Sequence, residues 1–329
     1  MKHLIFMLLC LQLLATPVHT RFAQLNSTSG ITRKDIQFYS GINLVKGWLF
    51  HPAETAGKKF PVIVMAPGFA GVKESNYRFI ADEFAAAGFA VVLFDYPNFG
   101  ESEGKPRQEA DPLLQVQAYR DAITYATGNP LIDGESIGVW GGSYSGGHAI
   151  LVAALDSRVK CFVAMTPFLS GNALIRNKSM AARKKRGEAF NADRINRMNG
   201  KTPAMIPVVS EKGGAMVAAP SPYAWQFVQS FISYAPNFKN EVTLRSIEMQ
   251  FEYEPAAYLN RTDSIPKLFL IAKQDELIPE TFIKNYYDAA PGPKELVYFE
   301  GHHFSAYQEK RKETCGYAIA FFKKYLKEL

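Results

Sequence analysis

Three residues in this chain have side chains suited to attack on a carbonyl group, and each stands just past a short apolar run. They are Ser143, Asp275 and His303. A serine hydroxyl is a weak nucleophile until a base removes its proton, and histidine is the common base when a carboxylate orients its ring. The residue types therefore predict nucleophilic acyl transfer, provided that the fold brings the three side chains together.

The residues around Ser143 predict a sharp turn between a strand and a helix. The stretch 138–147 reads GVWGGSYSGG, so a glycine stands two residues before the serine and Ser145 two residues after it. Small residues are needed there because the serine of such a turn has strained backbone angles. Ser145 is the alternative nucleophile, but it would place the bulky Tyr144 directly before the attacking atom. We favour Ser143, while a glycine-rich turn that serves only close packing would give the same pattern.

The carboxylate and the histidine follow two further apolar runs that are typical of buried strands. Asp275 comes after the run 268–272 and before Pro279, which can open a helix. Glu276 is an alternative orienting carboxylate, whereas Asp263 precedes the strand and lies at its wrong end. Parallel strands place their carboxyl ends at one edge of a sheet, so the candidate residues are expected to meet there.

The chain order of serine, aspartate and histidine, together with the turn at 138–147, resembles the α/β-hydrolase superfamily. The turn is similar in particular to that of the dienelactone-hydrolase-like and Xaa-Pro-peptidase-like serine hydrolases. The resemblance covers roughly residues 35–329 apart from one insertion. It implies an α/β-hydrolase fold and a serine nucleophile.

The same resemblance implies which of two neighbouring histidines and carboxylates act. A histidine commonly precedes phenylalanine in that branch, as His303 precedes Phe304 here, so His303 is implied as the base and His302 as a loop neighbour. The position of the carboxylate relative to the following proline implies Asp275 rather than Glu276. The implied catalytic set is therefore serine, His303 and Asp275.

An oxyanion formed during attack needs backbone N–H donors. In the superfamily one donor is the residue after the nucleophile, here Tyr144, and the other lies in the loop after the third strand. That loop is 67–71, PGFAG, and the resemblance implies Phe69 as the second donor. Pro67 stands where the superfamily commonly has a histidine. A main-chain donor does not require that side chain, so the oxyanion hole is still expected, but without the contact with which that histidine would position the loop.

The rest of the chain alternates strands and helices. Residues 35–40 and 42–50 alternate polar and apolar side chains around a turn, which predicts an antiparallel hairpin at a sheet edge. Further strands are predicted at 60–66, 89–94 and 158–165, and helices at 77–87, 112–125 and 305–329. The alternation predicts a mostly parallel sheet covered by helices on both faces.

The alternation stops over residues 166–261, a stretch too long for an ordinary connection. We interpret this insertion (residues 166–261) as a helical cap on a core made of 24–165 and 262–329. Residues 176–201 carry nine lysines and arginines against two acidic residues, which either attract anionic substrates or form a solvated helix face. The later aromatic residues of the insertion suit a substrate pocket, the insertion's own core or a homo-oligomer contact.

The amino terminus has the features of a secretory signal. Residues 1–23 begin with a basic residue and continue with a short apolar body, so we predict a secreted or periplasmic protein, with an uncleaved membrane anchor as the alternative. The net charge of +6 is modest, and no nucleic-acid motif is present. No cysteine and histidine cluster has metal-ligand spacing, and no cofactor is expected.

These features predict a serine hydrolase that cleaves carboxylic esters or thioesters through an acyl-enzyme. An exopeptidase or amidase of the Xaa-Pro or proline-aminopeptidase type is an alternative that the resemblance permits. Such an enzyme needs acidic residues to anchor a substrate amine, and spacing alone does not identify them. A non-catalytic binding protein that retains the fold is the third hypothesis. The expected partner is a small ester, thioester or short peptide.

Overall fold

The computed structural model describes residues 30–53, 57–176, 178–212 and 216–326. The predicted signal peptide at 1–23 lies outside the described residues. Within the described ranges, no helix combines the length and the apolar character needed to cross a membrane.

An eight-stranded sheet forms the centre of the protein. In chain order the strands of the described residues are β1 (Ile31–Ser40), β2 (Asn43–Pro52), β3 (Phe60–Met65), β4 (Ala90–Phe94), β5 (Ile132–Gly142), β6 (Val159–Met165), β7 (Met205–Ile206), β8 (Val242–Thr243), β9 (Lys267–Ala272) and β10 (Lys294–Phe299). β7 and β8 form a separate pair, and the other eight form the central sheet. The central sheet has the order β1-β2-β4-β3-β5-β6-β9-β10. β1 and β2 form the antiparallel edge hairpin, β2 also runs antiparallel to β4, and the other neighbours are parallel. The prediction of a mostly parallel sheet is confirmed.

Helices cover the sheet on both faces. They are α1 (Tyr77–Ala86), α2 (Pro112–Thr127), α3 (Tyr144–Leu155), α4 (Gly171–Arg176), α5 (Met180–Met198), α6 (Pro222–Phe231), α7 (Leu244–Glu252), α8 (Glu280–Ala289) and α9 (Arg311–Tyr325), with 3₁₀ turns at Pro255–Arg261 and Ser305–Tyr307. α1 packs against α9, and α2 packs against α3. Local sequence sets helix starts. For example, Asp111 accepts from the N–H groups of Leu113 and Leu114 and so caps α2.

The last helix begins later than the sequence pattern indicates. Residues 305–307 form a separate 3₁₀ turn, and α9 starts only at Arg311. Gln308 interrupts the helix with φ −125° and ψ −109°. The buried Tyr307 explains the interruption, because its ring packs against Tyr77 and Phe227 at centroid distances of 5.3 and 5.4 Å.

The insertion contains α4 to α7 and the two-stranded pair β7-β8. It is attached to the core loop that precedes α2. In that loop Ala110 N–H donates to Ser246 Oγ at 2.9 Å, and Glu109 accepts from Arg245 Nη1 at 2.7 Å. Thr243 N–H also donates to the core carbonyl of Gln108 at 3.0 Å. These contacts hold the insertion over the loops that follow the parallel strands.

Candidate active site

Ser143 lies in the tight turn between β5 and α3. Its φ of 57° and ψ of −121° belong to a region that residues with a Cβ rarely adopt. Gly141 permits the turn, since a Cβ there would lie 2.0 Å from the carbonyl oxygen of Ser145. The N–H of Ser143 donates to the Met165 carbonyl of β6 at 2.8 Å. The turn that the sequence predicts is present, and it holds the Ser143 side chain at the carboxyl end of β5.

The side chains of Ser143, His303 and Asp275 form one hydrogen-bonded chain. Ser143 Oγ lies 2.9 Å from His303 Nε2, and His303 Nδ1 lies 2.7 Å from Asp275 Oδ2. The other carboxylate oxygen accepts from the N–H groups of Leu277 and Ile278 at 2.9 and 2.8 Å. With a proton on Nδ1, Nε2 is free to accept the proton of Ser143.

The surroundings of His303 favour its cationic form. His303 is buried, with 1% of its surface exposed. Burial lowers the pKa of His303, but the charge of Asp275 and the hydrogen bond to it raise the pKa, and the balance is a pKa above the ordinary value. The imidazolium that forms when the serine loses its proton is therefore stabilised where it arises.

Three other residues weighed in the sequence analysis lie outside the hydrogen-bonded chain of Ser143, His303 and Asp275. Ser145 is fully buried, and its hydroxyl donates to the Gly142 carbonyl and accepts from the Gly142 N–H, both at 2.9 Å. The ring of His302 stacks on Tyr223 at a centroid distance of 3.9 Å. Asp263 precedes β9 and is exposed. None of the three is placed to share a proton with Ser143.

Glu276 has a different set of contacts from its neighbour Asp275. Its Oε1 accepts from Ser221 Oγ at 2.6 Å, and its Oε2 accepts from the backbone N–H of His303 at 3.2 Å. Ser221 belongs to the insertion and caps α6. Glu276 therefore links the insertion to the backbone of His303 and does not orient the imidazole.

The loop 67–71 approaches the serine closely. A Cβ built on Gly68 would lie 3.5 Å from the Cβ of Ser143. The ring of Phe69 packs edge-on against the ring of Tyr144 at a centroid distance of 5.2 Å. The structure thus brings the two residues predicted as oxyanion donors next to each other beside Ser143.

Two tyrosine hydroxyls hold the start of this loop. They do so where Pro67 stands instead of the histidine common in the superfamily. Gly68 N–H donates to Tyr77 Oη at 2.8 Å, and Ala66 N–H donates to Tyr119 Oη at 2.9 Å. Tyr77 lies on α1, the helix that follows the loop, and Tyr119 lies on α2, 53 residues from Ala66. Sequence reasoning missed them because nothing in their own neighbourhoods distinguishes them from core aromatic residues.

A buried ion pair anchors the other end of the same loop. Asp95 accepts from the backbone N–H and from the Nζ of Lys73, both at 2.7 Å, and Glu101 also contacts Nζ. Burial lowers the pKa of Lys73, but Asp95 and Glu101 raise it, and the balance is a raised pKa. Gly100 leaves room for the pair, since a Cβ there would lie 2.2 Å from the Asp95 carboxylate. In the sequence, this ion pair is indicated only by Asp95, a charged residue directly after the apolar strand β4.

Two cavities meet at Ser143 and His303. The apolar cavity, of about 80 Å³, lies between the core and the insertion. Its apolar walls include Val208, Val209, Phe227, Val228, Phe231 and Phe238. The basic cavity, of about 380 Å³, is lined by Ser143 and His303 and also by Lys178, Arg186, Phe190 and Phe251. In the described part of the chain, no group of three or more histidine, cysteine or acidic side chains could hold a metal ion.

Comparisons with known proteins bear on the family and the fold. The sequence model of the α/β hydrolase fold family matches residues 61–310. The chain is 33% identical to the thiohydrolase aneE of Aspergillus aculeatus, over 74% of this chain and 79% of the relative. It is 30% identical to the quorum-quenching protein AidA of Acinetobacter baumannii, over 82% and 87% of the two chains. Among solved structures, the DcsB complex with its substrate analogue has a TM-score of 0.80 and 25% identity, covering 90% of this chain and 99% of that one.

The chain belongs to the α/β hydrolase fold family, and the resemblance inferred from the sequence is confirmed at the level of the superfamily. The protein is an enzyme whose general reaction is that of serine hydrolases. Membership of the dienelactone-hydrolase-like branch stays a prediction.

Proposed function

We propose that this protein hydrolyses carboxylic esters or thioesters through an acyl-enzyme formed on Ser143. The observation that carries the proposal is the hydrogen-bonded chain from Ser143 through His303 to Asp275, which opens directly on the apolar cavity. A nucleophile, its base and the orienting carboxylate are what acyl transfer requires.

The reaction proceeds in two half-reactions. Ser143 Oγ attacks the carbonyl carbon while His303 Nε2 takes the hydroxyl proton, and the carbonyl π electrons move to the oxygen. The tetrahedral intermediate then expels the alcohol or thiol, which receives the proton from His303. In the second half, His303 removes a proton from water, the hydroxide adds to the acyl carbon, and Ser143 leaves with that proton as the acid is released. Asp275 stabilises the imidazolium in both halves.

Backbone N–H groups of Phe69 and Tyr144 hold the oxyanion in this proposal. Tyr144 is the first residue of α3, so its N–H has no acceptor within the helix, and the helix dipole favours negative charge at this end. The edge-on contact between the two rings fixes their relative position. A well-aligned donor lowers the barrier by about 3 kcal/mol.

The lining of the cavities supports esters and thioesters over substrates with a free amine. Among the described residues that line the two cavities, Glu276 is the one carboxylate, and both its oxygens already accept hydrogen bonds. Lys178 and Arg186 line the same cavity as Glu276 and disfavour an ammonium group there. The relative named as a thiohydrolase supports inclusion of thioesters.

The test is hydrolysis of 4-nitrophenyl butyrate and of its thioester analogue by the wild-type protein beside Ser143→Ala and Ser145→Ala. Loss of the nucleophile is expected to lower kcat by at least about a thousandfold in Ser143→Ala. Ser145→Ala removes a hydroxyl of the same turn and serves as the matched control, with activity retained. Circular dichroism checks that all three proteins are folded. Equal activity of Ser143→Ala and wild type would overturn the proposal.

Covalent labelling separates an enzyme from a fold-retaining binding protein. A fluorophosphonate reacts with an activated serine, whose oxygen bonds to phosphorus as fluoride leaves. Mass spectrometry is expected to place the label on Ser143, with no label in Ser143→Ala. Folded wild-type protein that stays unlabelled would favour the non-catalytic hypothesis.

A further inference from the structure

Basic side chains at the start of α5 line the route into the active site. Lys178 stands just before α5, and Arg186 lies two turns into it. Both line the basic cavity, together with Ser143 and His303. A neighbouring hollow of about 220 Å³ shares Lys178 and Arg186 with that cavity and is also lined by Arg183. The positive charge of this segment therefore faces a space that leads to the nucleophile.

The two halves of α5 differ in how their charges are balanced. In the second half, Arg194 pairs with Glu248, and Arg197 pairs with Asp193 at 2.8 Å. In the first half and just before it, where Lys178 stands, no carboxylate of the described residues lies within 4.0 Å of the charged groups of Lys178 or Arg186. Ion pairs therefore compensate charges in the second half of α5, whereas the described residues give Lys178 and Arg186 no such carboxylate.

Arg186 is held by a contact with an aromatic ring, and none of the described carboxylates pairs with it. Its guanidinium lies 4.9 Å from the centre of the Phe251 ring and is half-buried. Partial burial lowers the pKa of Arg186 from its ordinary value. Arginine nevertheless stays charged, and removing part of its water without an ion pair has a free-energy cost. An anion bound in the basic cavity would offset that cost.

The two cavities differ in what they can accept. Apart from His303, no charged side chain among the described residues lines the apolar cavity, so a charged substituent has no partner there. The acyl chain is the part that suits apolar walls. The basic cavity shares Lys178, Arg186, Phe190 and Phe251 with the neighbouring hollow, so the part of the substrate that leaves first has more room on this side.

We propose that Arg186 and Lys178 bind a carboxylate or phosphate carried by the alcohol or thiol part of the substrate. The inference rests on the acyl transfer proposed for Ser143 and adds the substrate class. A planar guanidinium suits both anions, because its N–H groups can donate to two oxygens at once.

The test compares two thioesters that differ by one carboxylate on the thiol, the butyryl thioesters of 4-nitrothiophenol and of 5-mercapto-2-nitrobenzoate. Both released thiols are coloured, and each rate is divided by the rate of hydroxide-catalysed hydrolysis. The wild-type kcat/KM is expected to favour the carboxylate thioester by about tenfold, as for one charge-assisted hydrogen bond. Arg186→Met and Lys178→Met, which keep apolar stems, are expected to remove most of this preference.

Lys185→Met is the matched control for charge. Lys185 is the residue before Arg186, is exposed, and lines neither cavity. The control removes the same charge from the same helix and is expected to keep the preference. An equal loss in Lys185→Met and Arg186→Met would show a general effect of net charge and overturn the site.

A second substrate pair tests which half of the substrate carries the anion. The 4-nitrophenyl esters of adipic and hexanoic acids place the carboxylate on the acyl chain instead. No Arg186-dependent preference is expected for this pair, and finding one would overturn the assignment of the basic cavity to the leaving group. Benzoate and phenyl phosphate, as inhibitors of neutral thioester hydrolysis, then show which anion binds more tightly.

The outcomes separate this inference from the proposed function. Turnover of the neutral thioester, with the same substrate ratio in wild type and all variants, overturns the anion site and leaves the hydrolase intact. Turnover of neither thioester by folded wild-type protein overturns both.

Discussion

The core and the insertion contribute to the site in different ways. In the core, the groups next to the reacting atoms have fixed polar partners. Two backbone N–H groups donate to the Asp275 carboxylate, and the Gly68 N–H donates to a tyrosine hydroxyl. The insertion contributes apolar walls and two cations, Lys178 and Arg186, that pair with no carboxylate in the described part of the chain. We infer that the core determines the chemistry and the insertion determines which substrate reaches it. Substitutions on the two sides should therefore change different kinetic quantities.

The largest effect is expected from Asp275→Asn in the core. The amide can still accept from the N–H groups of Leu277 and Ile278, so the loop is kept, but it favours the wrong tautomer of His303 and no longer stabilises the imidazolium. We expect kcat to fall by about 10⁴-fold with little change in the preference among acyl chains.

Asp263→Asn is the control for Asp275→Asn, since Asp263 is an exposed carboxylate before the same strand. Steady-state kinetics on 4-nitrophenyl butyrate measure both variants. A loss under tenfold in Asp275→Asn would contradict its assignment as the orienting carboxylate.

An intermediate effect is expected at Glu276, where the two regions meet. His303 must be neutral to accept a proton, so kcat/KM rises as pH rises through its pKa, which Asp275 holds above the ordinary 6.5. Glu276 also raises that pKa. Glu276→Gln should therefore move the acid limb of the pH profile to lower pH and, by weakening the bonds to Ser221 and His303, lower kcat by about tenfold.

The pH dependence of kcat/KM for wild type and Glu276→Gln measures this shift. Glu280→Gln is the control, since Glu280 starts α8 four residues later. An acid limb that stays in place, or moves to higher pH, would show that the Glu276 charge does not act on His303.

The smallest effect is expected from Val228→Ala in the insertion. Val228 is buried on α6 and lines the apolar cavity, so its truncation lengthens the space for an acyl chain. We expect the ratio of kcat/KM for 4-nitrophenyl hexanoate to that for the butyrate to rise roughly threefold.

Ile232→Ala, just after α6, is the control for Val228→Ala, because Ile232 is exposed and does not line the cavity. If the ratio of the two substrates changes equally in both variants, the insertion does not select the acyl chain.

Much of the core site could be predicted because its residues follow strand ends. Ser143, Asp275 and His303 each lie within four residues of the carboxyl end of a strand, and parallel strands bring such positions together. The groups that hold Gly68 and Ala66 could not be predicted, since Tyr77 and Tyr119 lie on helices whose packing against the loop is set by the tertiary structure.

The insertion was less predictable for the same physical reason. Its composition indicated charge and aromatic residues, but their roles depend on tertiary packing. Phe227 and Phe231 line the apolar cavity, whereas Tyr223 stacks on His302 and Tyr234 donates to Asn76. Residues of one type along one segment thus have three different surroundings, and no periodicity distinguishes them.

The apolar cavity has one wall from the core and one from the insertion, so its contents affect the stability of the protein as well as its activity. Whatever fills the cavity completes the contact between the insertion and the core, with Phe227 on one side and Gly68 on the other. An acyl group in this cavity buries apolar surface in the folded state and so raises the free energy of unfolding. We expect a slowly released acyl chain on Ser143 to raise the Tm and to protect the insertion from proteases. The acylated enzyme should then be degraded more slowly than the free enzyme.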